Sequence, residues 1–219
     1  MSATDDLARR FGEVYTAALT DVLDRHGFLQ QTLPPALAPL APGTRLAGPV
    51  YPVLGRPHPG HDYDTSIRRV LEMLGAVPRG HVAVYQTNDS SAAHFGELSA
   101  TSLASRGCAG AVIEGGTRDA DYIVRAGFPV FSRYVTPQDC VPRWELLAHG
   151  DVTVVIGGVR MGSGDWIVGD RDGVVVVPGG EVHDILEEAE AKVATENEIR
   201  EAVTRGALPL EAYERYGTF

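Results

Sequence analysis

Leu7, Phe11, Val14, Ala18 and Val22 recur every three or four positions, the spacing that gathers apolar side chains on one face of a helix. Residues 4–25 are therefore read as one helix, with Thr4 as its N-cap and Gly27 as its stop. The stretch that follows, "LPPALAPLAPG", is too proline-rich for a helix or a central strand. "RLAGPVYPVLG" reads as extended chain, and Pro49 and Pro52 place it at a sheet edge. From there helical and extended patterns alternate: helix 65–75, strand 81–86, helix 96–106, strand 110–115, helix 119–126, strand 129–134. Such alternation is the pattern of parallel βαβ units.

Beyond residue 150 the period changes. "DVTVVIGG", "DWIVGD" and "GVVVVP" are short strands in series, and "DRDG" supplies a hairpin turn shaped by Asp170 and Asp172. A charged helix is expected over 181–205 and a short one over 209–215, so residues 181–219 form a helical tail. No internal repeat, low-complexity tract or clear linker interrupts the chain, and residues 1–219 are expected to make one α/β domain.

Composition narrows this further. With 44% hydrophobic and 22% charged residues the chain reads as soluble and globular, and no apolar run approaches a membrane span. The acidic, amphipathic N-terminus has no signal-peptide character. Cys108 and Cys140 make no disulfide framework and have no zinc spacing, so free thiols and a cytoplasmic location are expected. A formal charge of −10 argues against a nucleic-acid partner. Lys192 is the one lysine; it sits mid-helix on a charged stretch, as a solvated residue would, which leaves Schiff-base chemistry without a good candidate.

The chemistry gathers at element ends. Gly96 opens the helix that carries Glu97, Leu98 and Ser99, and the unsatisfied N–H groups there suit a carboxylate. Arg118 and Asp119 follow a strand ending in Gly115 and Gly116, glycines that let the backbone come close to a ligand. Asp119 also has the position of a cap for its own helix. Loops of successive βα units lie side by side at one sheet edge, so Arg118 is expected to face the same opening as Glu97. An arginine fork takes a carboxylate in bidentate fashion, and an aspartate beside a second acid suits a magnesium-like ion. His94 is a further candidate for the lining. His58, His61, Asp62 and Asp64 in "HPGHDYD" have metal-like spacing but read as loop and cap residues. "GGVRMGSGD" is glycine-rich but precedes a strand and is no phosphate loop.

Twenty residues separate Glu97 from Arg118, with Asp119 next. With "GFPVF", "GDRDGVVVVP" and "ENEIREAVTRGALPLEAYERYG" in order behind it, this spacing resembles the RraA-like family. That family joins 4-hydroxy-4-methyl-2-oxoglutarate/4-carboxy-4-hydroxy-2-oxoadipate aldolases with the regulator of ribonuclease E activity A. The resemblance implies a swivelling β/β/α-type fold, assembled as homotrimers or hexamers with the site at a subunit boundary. It implies that Arg118 holds the carboxylate and keto end of a small 2-oxo acid. It further implies that Asp119 ligates Mg2+ or Mn2+ directly, that Glu97 reaches the metal through water, and that Glu196 of a neighbouring chain completes the outer shell. The N–H groups of Leu98 and Ser99 would bind the substrate carboxylate. The implied activity is aldol cleavage of 4-hydroxy-2-oxo acids to pyruvate, with oxaloacetate decarboxylation alongside. The alternative from the same family is a protein-binding regulator of a ribonuclease.

Overall fold

The computed structural model describes residues 2–60 and 62–219. Its strands are β1 (Ala38–Pro39), β2 (Leu46–Pro57), β3 (Val82–Gln86), β4 (Ala93–Phe95), β5 (Gly110–Thr117), β6 (Val130–Val135), β7 (Trp144–His149), β8 (Val154–Ile156), β9 (Val159–Met161), β10 (Trp166–Asp170) and β11 (Gly173–Val177). Its α-helices are α1 (Ala3–Glu13), α2 (Thr16–Arg25), α3 (Tyr63–Ala76), α4 (Glu97–Ser105), α5 (Ala120–Ala126), α6 (Val182–Thr204) and α7 (Pro209–Tyr216).

One sheet runs β1-β6-β5-β3-β2-β10-β11, with β4 added beside β5 and β7 beside β2. The central strands β2, β3, β5 and β6 are parallel, as the alternating pattern requires, and β10–β11 is the expected hairpin, closing with Asp170 opposite Gly173. The two ends of the sheet are brought together by the segment around the proline-rich connector. Leu33 N–H donates to Val174 O and Val176 N–H to Gln31 O, both at 2.9 Å, while β1 pairs with β6. The sheet is thereby nearly closed, and its two faces bury different residues. Val82, Val84, Val112, Phe131, Ile167, Val174 and Val176 fill the interior. Their chain neighbours Ala83, Tyr85, Ala111 and Ile113 pack outward under α3, α4 and α5, and Trp166, Val168, Val175 and Val177 outward under α1, α2 and α6.

Three expectations are corrected. β2 is central, not an edge strand. Residues 46–49 pair with β10 and 53–57 with β7, so Pro49 and Pro52 fall where one neighbour gives way to the other and fewer ladder donors are needed. The N-terminal helix is two helices. Ser2 caps α1 in a capping box with Asp5, leaving Thr4 inside the first turn, and Val14 is extended. The buried Asp170 carboxylate then starts α2, accepting from Thr16 N–H at 2.8 Å and Thr16 Oγ1 at 2.7 Å. Asp170 therefore anchors a helix as well as shaping its turn, where it also accepts from Asp172 N–H at 3.0 Å. We predict that Asp170→Ala lowers stability by about 2 kcal/mol, because it removes a cap and leaves buried donors unpaired. A denaturant midpoint within error of wild type would contradict this. The third correction is of omission: β4, β7 and β9 lie in stretches for which the pattern predicts no strand.

Candidate functional site

Three loops meet at the carboxyl edge of the parallel strands. The chain leaving β3 passes through β4 into α4, the chain leaving β5 supplies Arg118 and Asp119, and the chain leaving β6 supplies Asp139. β4 ties them together. It pairs with β5 through Ala93 and Phe95, and Ala93 N–H donates to Gln138 O at 2.7 Å on its other side. Arg118 N–H in turn donates to Phe95 O at 2.9 Å. Glu97 and Arg118–Asp119 are thus brought to one opening, as their positions at the ends of neighbouring units predict.

Asp119 does not use its side chain to cap its own helix. It has a left-handed backbone (φ 58°, ψ 32°), and its Oδ2 accepts from Glu97 N–H at 3.2 Å, the first residue of α4. The aspartate of one loop therefore caps the helix of the preceding unit, a placement that also suits the positive end of the helix dipole. A side chain at Gly96 would crowd this junction. A Cβ there would lie 2.9 Å from Asp119 Oδ2 and 3.2 Å from Arg118 Cγ, although its own backbone is ordinary extended chain. Arg118 Nε lies 3.7 Å from Asp119 Oδ2, and Arg118 Nη1 lies 3.7 Å from Asp139 Oδ1. Both are loose contacts of a half-exposed guanidinium.

These groups line one cavity of about 320 Å³, together with Leu98, Ser99 and His94. Glu97 turns part of its carboxylate back along α4, accepting from Thr101 Oγ1 at 2.8 Å. Among the described residues no group of three His, Cys, Asp or Glu side chains is close enough to hold an ion by itself. The carboxylate donors are Asp119, at the mouth of a helix, and Glu97 and Asp139 on the same cavity. Such a set fits a hard divalent cation that keeps several waters and takes one or two carboxylates.

Gly115 and Gly116 serve a different end from the one expected. A Cβ at Gly115 would meet His94 Nδ1 at 2.7 Å and Thr87 Oγ1 at 2.8 Å, and one at Gly116 would meet Ala92 O at 2.5 Å. The glycines admit β4 and its neighbours, not a ligand. Glu196 is not brought to this cavity within the chain. It lies on α6 in a separate groove with Ile199, Arg200 and Phe219, its Oε1 2.9 Å from Lys192 Nζ. Lys192 is mostly buried and pairs also with Asp21 at 3.0 Å, so it is a structural ion-pair residue rather than a solvated one. Asp62 caps α3 by accepting from Thr65 N–H, and Asp64 pairs with Arg68, as loop and cap roles require; His61 lies outside the described residues. Both cysteines are free and buried, and Cys140, whose thiol burial pushes up to about 12, lines the cavity as an apolar group.

Asp139 is the residue that sequence reading missed, because "TPQDC" carries no periodicity and reaches the site only through long-range pairing with β4.

His94 is buried against Trp144, ring centroids 5.2 Å apart, with Nε2 3.2 Å from Asp89 Oδ2 but without hydrogen-bond alignment. Burial lowers its pKa from 6.5 to about 4, the nearby Asp89 charge opposing this only in part. Below pH 6.5 the unfolded chain takes up a proton that the folded chain refuses until about pH 4. The contribution of a neutral His94 is therefore complete above pH 6.5 and lost as pH falls toward 4, by no more than about 3 kcal/mol. Urea midpoints measured across this window should fall less steeply in His94→Phe than in wild type; equal slopes would remove His94 from the acid sensitivity.

Comparison with known proteins agrees with this architecture. The chain belongs to the RraA-like family (Aldolase/RraA), whose model matches residues 16–176. It is 27% identical to a Halalkalibacterium halodurans protein provisionally named 4-hydroxy-4-methyl-2-oxoglutarate aldolase, over 95% of this chain and 93% of that one. A Burkholderia multivorans protein with the same provisional name is 33% identical over 74% of this chain and 96% of its own length. Among solved structures, Streptomyces coelicolor RraAS2 superposes with a TM-score of 0.79 at 28% identity, over 89% of this chain and 96% of that one. It is described as an unusual member of the RNase ES inhibitor RraA protein family. No helix among the described residues is long and apolar enough to cross a membrane.

Proposed function

We propose that the chain is a divalent-metal-dependent lyase that cleaves 4-hydroxy-2-oxo acids to pyruvate, working as a homo-oligomer, with oxaloacetate decarboxylation as a side activity. One observation carries the reading: Arg118, Asp119, Glu97 and the start of α4 share one cavity, with Asp119 held across two loops. Relatives provisionally named as such aldolases support it.

In this reading the C1 carboxylate is received by the N–H groups of Leu98 and Ser99 and by the Arg118 fork. The C4 hydroxyl gives its proton to water held by Glu97, the C3–C4 bond breaks as the C4 carbonyl forms, and its electrons pass to C3 as an enolate, which takes up a proton at C3 from water to give pyruvate. Arg118 places positive charge where that oxyanion develops. Mg2+ or Mn2+, when bound through Asp119, would supply Lewis-acid stabilisation of the same charge. Loss of CO2 from oxaloacetate leaves the same enolate, so the two activities use one set of groups.

Arg118→Lys keeps the charge and loses the fork, so we expect kcat/KM for pyruvate release to fall by about a hundredfold or more. Steady-state kinetics close to wild type would return Arg118 to the role of a surface residue. The likeness to RraAS2 favours a second reading, a binding protein that restrains a ribonuclease. Pull-down and inhibition assays with a ribonuclease, beside pyruvate release assayed with and without chelator, separate the two.

A further inference from the structure

The cavity is two-ended. One end is polar, with Arg118, Asp119, Asp139 and the start of α4. The other wall is α3, which presents Ile67, Val70, Leu71 and Leu74. These positions follow the three-and-four spacing of a single helix face. The charged residues of α3 are directed elsewhere: Arg68 is held by Asp64 at 2.7 Å, and neither Arg69 nor Glu72 lines the cavity. Among the described residues the one other cation on the lining is Arg106, which is exposed at the end of α4 and about 14 Å from Glu97 along the helix axis.

We propose that this wall sets substrate choice, and that the site prefers 4-hydroxy-2-oxo acids whose C4 substituent is apolar over those that carry a second carboxylate there. The inference rests on the lyase reading above. With C1 held at Arg118 and the first turn of α4, C4 and its substituent extend toward α3. A carboxylate placed against four aliphatic side chains loses hydration without gaining a partner, which is a heavy penalty for a charged group. An alkyl or phenyl group in the same place is driven in by the area it buries. Arg106 offsets little of the penalty, because it is exposed and solvent screens an ion pair made there. The bond chemistry is unchanged: the hydroxyl proton leaves, the C3–C4 bond breaks, C3 of the resulting enolate takes up a proton from water, and the products are pyruvate and the aldehyde or ketone that bears the apolar group.

The test compares 4-hydroxy-2-oxo-4-phenylbutanoate, which yields pyruvate and benzaldehyde, with 4-hydroxy-2-oxoglutarate, which yields pyruvate and glyoxylate. Oxaloacetate is the internal control, because its chain ends at C4 and carries no substituent beyond it to meet α3. Pyruvate is measured by chromatography on the full-length protein with Mg2+ or Mn2+. The expected result is a kcat/KM at least tenfold higher for the phenyl substrate. Leu71→Arg, on an exposed position, and Val70→Ala, which removes apolar wall without adding charge, should each lower the phenyl-to-glutarate ratio of kcat/KM severalfold, with oxaloacetate turnover measured beside it to separate a change of preference from a general loss. Sizing of both variants verifies that assembly is unchanged. Equal or better turnover of 4-hydroxy-2-oxoglutarate, or its selective loss in Arg106→Ala, would overturn the inference and leave the lyase reading standing. Absence of pyruvate from all three substrates would overturn both.

Discussion

Asp119→Asn should lower pyruvate release by more than about a hundredfold while leaving the fold in place. The choice of asparagine follows from the backbone. Asp119 is left-handed (φ 58°), a conformation in which alanine costs about 1–2 kcal/mol but asparagine is at ease. Its amide oxygen can still accept from Glu97 N–H, which Asp119 Oδ2 now does at 3.2 Å. The cap on α4 is thereby kept, and the substitution removes one negative charge and its affinity for a hard cation. Asp119→Ala should be equally inactive but also less stable, since it loses the cap and strains the loop. The pair separates the two roles of this carboxylate: a shared loss of activity belongs to the charge, and a difference in thermal midpoint belongs to the cap and the backbone. Turnover of Asp119→Asn within a few-fold of wild type, measured with the free metal concentration held low by chelator, would remove Asp119 from the metal site.

What the sequence makes legible here follows from range. The alternation of Val82 and Val84 with Ala83 and Tyr85 declares a strand buried on both faces, but not which face is the interior. That is decided by closure of the sheet, which depends on Gln31 to Leu33 finding β11. The run Leu7, Phe11, Val14, Ala18, Val22 reads as one helix because α1 and α2 pack on the same core, so the apolar pattern barely falters at the break. The break is imposed by Asp170, 154 residues from Thr16, and no local propensity announces it. Pro49 and Pro52 mislead for a related reason: a local rule about edges gives way where a long strand changes neighbours. At the site, Glu97, Arg118 and Asp119 are visible because each stands at the end of an element, and neighbouring βα loops converge by topology. Asp139 stands at no such boundary, and only its pairing beside Ala93 carries it to the cavity.

Co-expression of Asp119→Ala with Glu196→Ala should restore activity that neither variant has alone. Glu196 and Asp119 line grooves with no residue in common, so one chain does not complete a site that uses both. Glu196 is also well placed to be presented to another copy. Its side chain is 23% exposed and steadied by Lys192, which is itself held by Asp21, so the carboxylate is fixed without being sealed in. Exposed Leu208, Leu210, Tyr213 and Phe219 on the same helical tail offer apolar surface for such a contact. In a cyclic trimer each boundary is head-to-tail, joining the Asp119 side of one chain to the Glu196 side of the next. With equal, random mixing, about one boundary in four pairs an intact Asp119 with an intact Glu196; in trimers selected to contain both chains it is about one in three, so their activity should recover to about a third of wild type. The mixed oligomers are purified through different tags on the two chains, and each parent is assayed alone. Mixed oligomers as inactive as both parents would place Glu196 outside the shared site, whereas an active Glu196→Ala parent would show that the site does not need this carboxylate at all.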